Sequence, residues 1–137
     1  MVYIQRRETF SASHRLYNAA WSDDQNEAVF GKCSNRYGHG HNFQLIVTVK
    51  GDVNPDTGFV MNLVDLKDIM HREVIEHVDH RNLNEDVPFL KGIQPSTENL
   101  AIAFWDRLAP AIAAKGAQLH SIRIIETENN FVEYFGA

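Results

Sequence analysis

Residues 2–14, VYIQRRETFSASH, set β-branched and aromatic residues among polar ones with no glycine or proline, a pattern that predicts an extended strand. On a pleat of period two, Phe10, Ala12 and His14 share one face. Residues 15–38 hold Asn, Asp, Ser and Gly in quantity with no sustained period. They predict a long loop, of the kind that is usually functional or mobile. Phe43–Lys50 is dense in β-formers and closes at Gly51-Asp52, which predicts a second strand antiparallel to the first. Asn54-Pro55-Asp56-Thr57-Gly58 is a turn signal.

From Leu63 the period changes. Leu63, Leu66, Ile69, Met70, Val74 and Val78 form a stripe near 3.6 residues, predicting a helix over 63–77 with Asn62 as cap and Asp65 in its first turn. Asp79 and His80 fall just past its end. A second helix opens at Ser96-Thr97-Glu98-Asn99 and runs to about 115, with Leu100, Phe104, Leu108 and Ile112 on one side and Pro110 inside the pattern. Ser96 as cap and Glu98 at the positive helix start account for that opening without any function. Leu119–Thr127 and Phe131–Phe135 predict two short strands joined by Glu128-Asn129-Asn130. The order ββααββ predicts an α+β fold: one domain over 1–137, a four-stranded antiparallel sheet with both helices on one face. The open edges of such a sheet invite pairing with further copies.

Composition narrows the class. The chain has 137 residues, 44% hydrophobic and 23% charged, close to the globular average. A formal charge of -5 argues against general nucleic-acid binding. No apolar run approaches the ~20 residues of a membrane span, and the first ten residues do not resemble a signal peptide, so a cytoplasmic protein is expected. The single cysteine, Cys33, cannot form an intrachain disulfide and is either a small buried hydrophobe or a reactive thiol. Lys32 and Arg36 beside it favour the thiol, since positive charge stabilises a thiolate.

The candidate chemistry centres on Cys33-Ser34-Asn35-Arg36-Tyr37-Gly38-His39-Gly40-His41-Asn42. If a strand begins here, His39 and His41 face the same way with Gly40 leaving space between them, and His14, ending its own strand row, supplies a third imidazole. Three imidazoles suit Zn2+ with a fourth position open for substrate. Zinc on a substrate hydroxyl or carbonyl acidifies the neighbouring C–H, and Cys33 is placed to take that proton. His80 could activate Cys33 or shuttle the proton, with Asp79 orienting an imidazole. A Cys–His hydrolase would use some of the same residues but leave the two spaced histidines idle. His71, His77 and His120 have no such context. Glu126 ends the apolar row Ile122, Ile124; either it reaches water at the strand end or it has a buried partner.

Together these segments resemble the family of 6-pyruvoyltetrahydropterin and 6-carboxytetrahydropterin synthases. The matching stretches are Phe10-Ser11-Ala12-Ser13-His14, Cys33 with His39-Gly40-His41-Asn42, Met61-Asn62-Leu63, Val78-Asp79-His80-Arg81-Asn82-Leu83-Asn84, Pro95 to Asn99 and Glu126 to Asn130. The resemblance implies the tunnelling fold (T-fold), trimers whose sheets close into one barrel, and two trimers stacked as a homohexamer with active sites between subunits. It implies zinc on His14, His39 and His41, and a catalytic set of Cys33, Asp79 and His80. It also implies a pterin anchored by Glu126, whose carboxylate can accept two parallel hydrogen bonds, in a pocket completed by Ser96, Thr97 and Glu98 of another subunit. The implied substrate is the small molecule 7,8-dihydroneopterin triphosphate, with no nucleic-acid or membrane partner. Loss of triphosphate would give 6-pyruvoyltetrahydropterin. The carboxy branch, serving queuosine synthesis, instead releases acetaldehyde, and the five-residue gap between Cys33 and His39 leans toward the pyruvoyl branch without deciding the product. A non-catalytic pterin-binding oligomer is the remaining alternative, and an intact Cys33, Asp79 and His80 argue against it.

Overall fold

The computed structural model describes residues 1–137. Strand β1 (Val2–His14) and strand β2 (His39–Gly51) pair antiparallel along their whole length, from Val2 opposite Gly51 to His14 opposite His39. Strand β4 (Gln118–Ile125) pairs with β2, with an irregularity at Thr48/Val49, and strand β5 (Phe131–Tyr134) pairs with β4. These four long strands are antiparallel, as the alternation predicts. A fifth strand, β3 (Arg81–Asn82), corrects the four-stranded expectation: it adds parallel to β1 at Ala12 and Ser13, giving the order β3-β1-β2-β4-β5. Two residues are too few to leave a period in the sequence.

The expected loop over 15–38 also needs correction. It contains helix α1 (Asp23–Phe30), capped by the Ser22 side chain, which accepts from the Gln25 N–H, and a 3-10 turn at Gly31–Ser34. Asn26 is the only buried residue of α1, so no apolar stripe marks it. Asn26 works through hydrogen bonds, accepting from the Asn18 N–H and donating to the Asn18 carbonyl.

One face of the sheet carries the core. Phe43, Leu45, Val47 and Val49 of β2 alternate inward and are fully buried, joined by Phe10 of β1 and Ile122 and Ile124 of β4. Two helical segments cover them. Helix α2 (Leu63–Met70), capped by Asn62, passes through a π turn (His71–Ile75) into the short α3 (Glu76–Val78). This path delivers Leu66, Ile69, Met70, Val74 and Val78 to the core, while Leu63 stays half exposed. Helix α4 (Thr97–Ala113) buries Leu100, Phe104, Leu108 and Ile112 completely, and runs past Pro110 to its end. Each such side chain contributes about 1.5–3 kcal/mol by leaving water. The segment after α3 leads to β3, and β4 ends beside Glu126, so both candidate regions sit at one end of the sheet.

Candidate metal centre and its surroundings

The β1–β2 register places His14 opposite His39 and Ala12 opposite His41. The pleat turns all three imidazoles to the face that further along holds Phe10 and Phe43. Their rings cluster at centroid separations of 4.6–5.3 Å. Gly40 has a different role from the one expected of it. It points to the opposite face, where an added Cβ would meet only the Ala12 carbonyl oxygen at 3.6 Å. Gly38 is the demanding position: its φ is 74°, and a Cβ there would lie 2.7 Å from the His14 carbonyl oxygen. A glycine is therefore needed where the chain turns into β2.

His14 is fully buried, and its Nδ1 lies 2.8 Å from the Pro95 carbonyl oxygen. A carbonyl can only accept, so Nδ1 carries the proton and Nε2 presents a bare lone pair. Such an outer hydrogen bond is what orients a ligating histidine. That lone pair lies 3.1 Å from His39 Nε2. His39 Nδ1 and His41 Nε2 are buried without a hydrogen-bond partner.

The buried-partner alternative for Glu126 is what the structure shows. Its Oε2 accepts from the Thr97 hydroxyl at 3.0 Å, while Oε1 lies 3.1 Å from His41 Nε2 and 3.6 Å from His14 Nε2. The contact with His41 is close but not aligned as a hydrogen bond, which leaves the nitrogen orphaned. Donor atoms of His14, His39, His41 and Glu126 all lie within 4.8 Å of one another. Four donors each about 2.0–2.1 Å from a tetrahedral zinc would stand about 3.3–3.4 Å apart. Three of the six separations, 3.1, 3.1 and 3.6 Å, bracket that edge, and all six lie within 4.8 Å. The donor set is one that can hold a metal ion.

Burial is the first cause that holds the pKa of each of the three histidines below the ordinary value of 6.5. The Pro95 hydrogen bond and the Glu126 charge oppose it at His14, and Glu126 opposes it at His39 and His41, without reversing it. Neutral imidazole is the form that binds metal, so the site is in its ligating state at neutral pH.

The remaining expected residues fall into three places. Cys33 lies half-buried in the 3-10 turn, tied to the β1 exit by the Leu16 N–H, which donates to its carbonyl at 2.8 Å. Thr97 and Glu98 line a cleft of 290 Å³ with Glu126, Asn129 and Asn130. Ser96 acts as the α4 cap, its hydroxyl accepting from the Asn99 N–H at 3.2 Å. Asp79 and His80 stand together at the β3 edge. Asp79 Oδ1 accepts from the Ser11 N–H at 2.9 Å and contacts His80 Nδ1 at 3.0 Å, while the His80 N–H donates to the Ser11 carbonyl. Burial works against the charge on Asp79, but those hydrogen bonds outweigh it and its pKa lies below the ordinary value. His80 is the one non-glycine residue with positive φ, 60°, and its side chain is 82% exposed. It faces a cleft of 540 Å³ with Ser11, Ser13, Gly40 and Asn42. Within one chain neither Asp79 nor His80 hydrogen-bonds Cys33.

Residues 3–137 match the family described as 6-pyruvoyl tetrahydropterin synthase. The chain belongs to this family. It is 48% identical over 135 residues to the 6-pyruvoyl tetrahydrobiopterin synthase of Dictyostelium discoideum, covering 98% of this chain and 96% of that protein. It is 45% identical over 133 residues to the enzyme of that name from Homo sapiens, covering 97% and 90%. The solved structure of Caenorhabditis elegans 6-pyruvoyl tetrahydropterin synthase superposes with a TM-score of 0.91 at 40% identity, over 99% of this chain and 96% of that one. The expected T-fold is thereby established.

Other features of the family member had little sequence signal. His71, without context in the sequence, lies 3.2 Å from the Glu8 carboxylate, which Arg6 also grips at 2.8 Å. Burial alone would raise the Glu8 pKa, but these two partners hold it below its ordinary value. This is a structural clamp between β1 and the π turn.

Proposed function

We propose that the protein is a zinc-dependent lyase that converts 7,8-dihydroneopterin triphosphate to 6-pyruvoyltetrahydropterin with loss of triphosphate. The observation behind this is the convergence of His14, His39, His41 and Glu126 in a chain 45–48% identical, over nearly its full length, to relatives named for the pyruvoyl product. His14, His39 and His41 hold the metal. Bound zinc supplies Lewis acidity that polarises a substrate hydroxyl or carbonyl and acidifies the adjacent C–H. Cys33 removes that carbon-bound proton. The electrons are redistributed within the substrate and triphosphate leaves, so no outside oxidant is required.

Glu126, Thr97 and Glu98, which line one cleft, receive the pterin ring. Glu126, whose Oε1 lies beside the imidazole donors, would accept hydrogen bonds from the ring NH and amino groups. The hydrogen bond from Thr97 to Oε2 keeps the carboxylate at that junction. Asp79 and His80 complete the catalytic set from a neighbouring copy. Their exposure and the lack of a hydrogen bond to Cys33 in one chain favour a site between subunits, and the outer strands β3 and β5 offer edges for assembling a hexamer. A lone free cysteine suits the reducing cytoplasm.

The test is direct. Zinc-loaded protein incubated with 7,8-dihydroneopterin triphosphate should release triphosphate and give the mass of 6-pyruvoyltetrahydropterin. Acetaldehyde with 6-carboxytetrahydropterin would transfer the protein to the carboxy reaction, and no turnover would leave only a pterin-binding oligomer.

A further inference from the structure

Where the β1 exit, α1 and the 3-10 turn meet there is a cleft of 720 Å³ with no hydrophobic residue in its wall. Arg15, Lys32 and Arg36 contribute three cations, and Asp23 and Glu27 two carboxylates from successive turns of α1. The ion pairs of other cations, Arg6, Arg72, Arg107 and Lys115, lie elsewhere, and none of these three enters one. Arg15 is held ready. Asn84 brackets its backbone through N–H and carbonyl, its Nε donates to the Ser34 carbonyl at 2.9 Å, and its guanidinium lies 3.9 Å above the Tyr17 ring. Its two terminal nitrogens remain free to donate in a fixed plane.

We propose that this cleft binds a polyphosphate chain and is the seat of the substrate's triphosphate, an assignment that rests on the pterin-triphosphate reading above. The location supports it. Arg15 follows the metal ligand His14, and Lys32 and Ser34 flank Cys33, so three of the lining residues are each one residue, about 3.8 Å of chain, from His14 or Cys33. A substrate whose side chain reacts between His14 and Cys33 has its distal phosphates here. Arg81, also close in sequence to site residues, lines the His80 cleft instead. The two carboxylates sharpen selectivity. They offset most of the field felt by a single phosphate, whereas an extended polyanion reaches all three cations at once, with charge-assisted, bidentate hydrogen bonds at the arginines.

The probe is inorganic tripolyphosphate titrated calorimetrically into zinc-loaded protein at low salt, with orthophosphate as comparison. The partner variant is Lys32→Ala/Arg36→Ala, both exposed positions. We expect tripolyphosphate to bind at least about tenfold tighter than orthophosphate, and the double variant to lose at least about tenfold in that affinity. The KM for 7,8-dihydroneopterin triphosphate should rise with it, while affinity for unphosphorylated 7,8-dihydroneopterin stays unchanged. Equal tripolyphosphate affinity in the variant overturns the proposal, as does heat that tracks zinc stripped from the protein, or a matching fall in dihydroneopterin affinity. If dihydroneopterin fails to bind the unaltered protein, the pterin reading fails, and the tripolyphosphate comparison still decides the cleft.

Discussion

The two ends of strand β2 share a backbone geometry and a face yet do opposite things. From Phe43 to Val49 the inward residues are apolar and fully buried; from Phe43 toward the strand start the same row continues as His41 and His39. Phe43 is the junction, stacked on Phe10 at 4.8 Å and set edge-on to His41 at 5.4 Å and His14 at 5.7 Å. The core's dryness reaches into the imidazole cluster across that ring. What stabilises the fold at one end depresses histidine protonation at the other, so the sheet supplies both a rigid frame and neutral ligands.

Single substitutions should separate the two ends. His41→Ala removes one of three imidazole donors, and metal content measured on the purified protein should fall from stoichiometric to a trace, with turnover lost. Phe43→Ala should do the reverse: a stability loss of about 3–5 kcal/mol in urea melts, with metal still bound by the folded fraction. If both variants lost metal alike, the division between core and site would be wrong. Cys33→Ala comes next in size. It should lower turnover by about 10²–10⁴-fold, the usual worth of a positioned base, and leave metal content unchanged. Turnover that survives would remove Cys33 from the chemistry.

The acid side of the comparison concerns the metal-free protein. The three histidines have folded-state pKa values below 6.5, so the unfolded chain binds more protons just under that pH. Their contribution is complete above about 6.5 and is lost as pH falls from there through the folded-state values. Glu8 and Asp79, also depressed, withdraw theirs only in the carboxylate range, further down. Urea midpoints of metal-free protein should therefore decline from pH 7 to pH 5.5, and zinc should flatten the decline at its upper end. A midpoint constant over that range would mean the cluster is not held neutral.

How much of this was legible in the sequence depended on whether the signal was periodic. Strands β1 and β2, the helix from Leu63 and α4 bury regular apolar rows, and the row of α4 is observed residue for residue. His14, His39 and His41 followed from the same pleat. Helix α1 did not, because it buries an asparagine and is held by polar contacts; Ser22 followed by Asp23 and Asp24 was its only local mark. The convergence of Glu126 on the histidines depends on β2–β4 register, with Gln44 opposite Ile125, which no local pattern encodes. Arg15, Lys32 and Arg36 were near the site in sequence, but only the fold of 15–38 puts them around one cleft.

The smallest expected effect bears on where the site stops and the scaffold begins. Ser96, Thr97 and Glu98 are consecutive, and the family resemblance assigns all three to the pterin pocket. In the structure the Ser96 hydroxyl is committed to the Asn99 N–H, while Thr97 bonds Glu126 and Glu98 lines the cleft. Ser96→Ala should thus cost about 1 kcal/mol of stability, the worth of a helix cap, and leave pterin affinity unaltered in fluorescence titration. Thr97→Ala frees the carboxylate that faces the metal donors, so its pterin affinity should fall severalfold, the loss of one hydrogen bond to a charged group. Should Ser96→Ala weaken the pterin as much as Thr97→Ala, the site would extend onto the cap, and the boundary drawn between scaffold and chemistry would move by one residue.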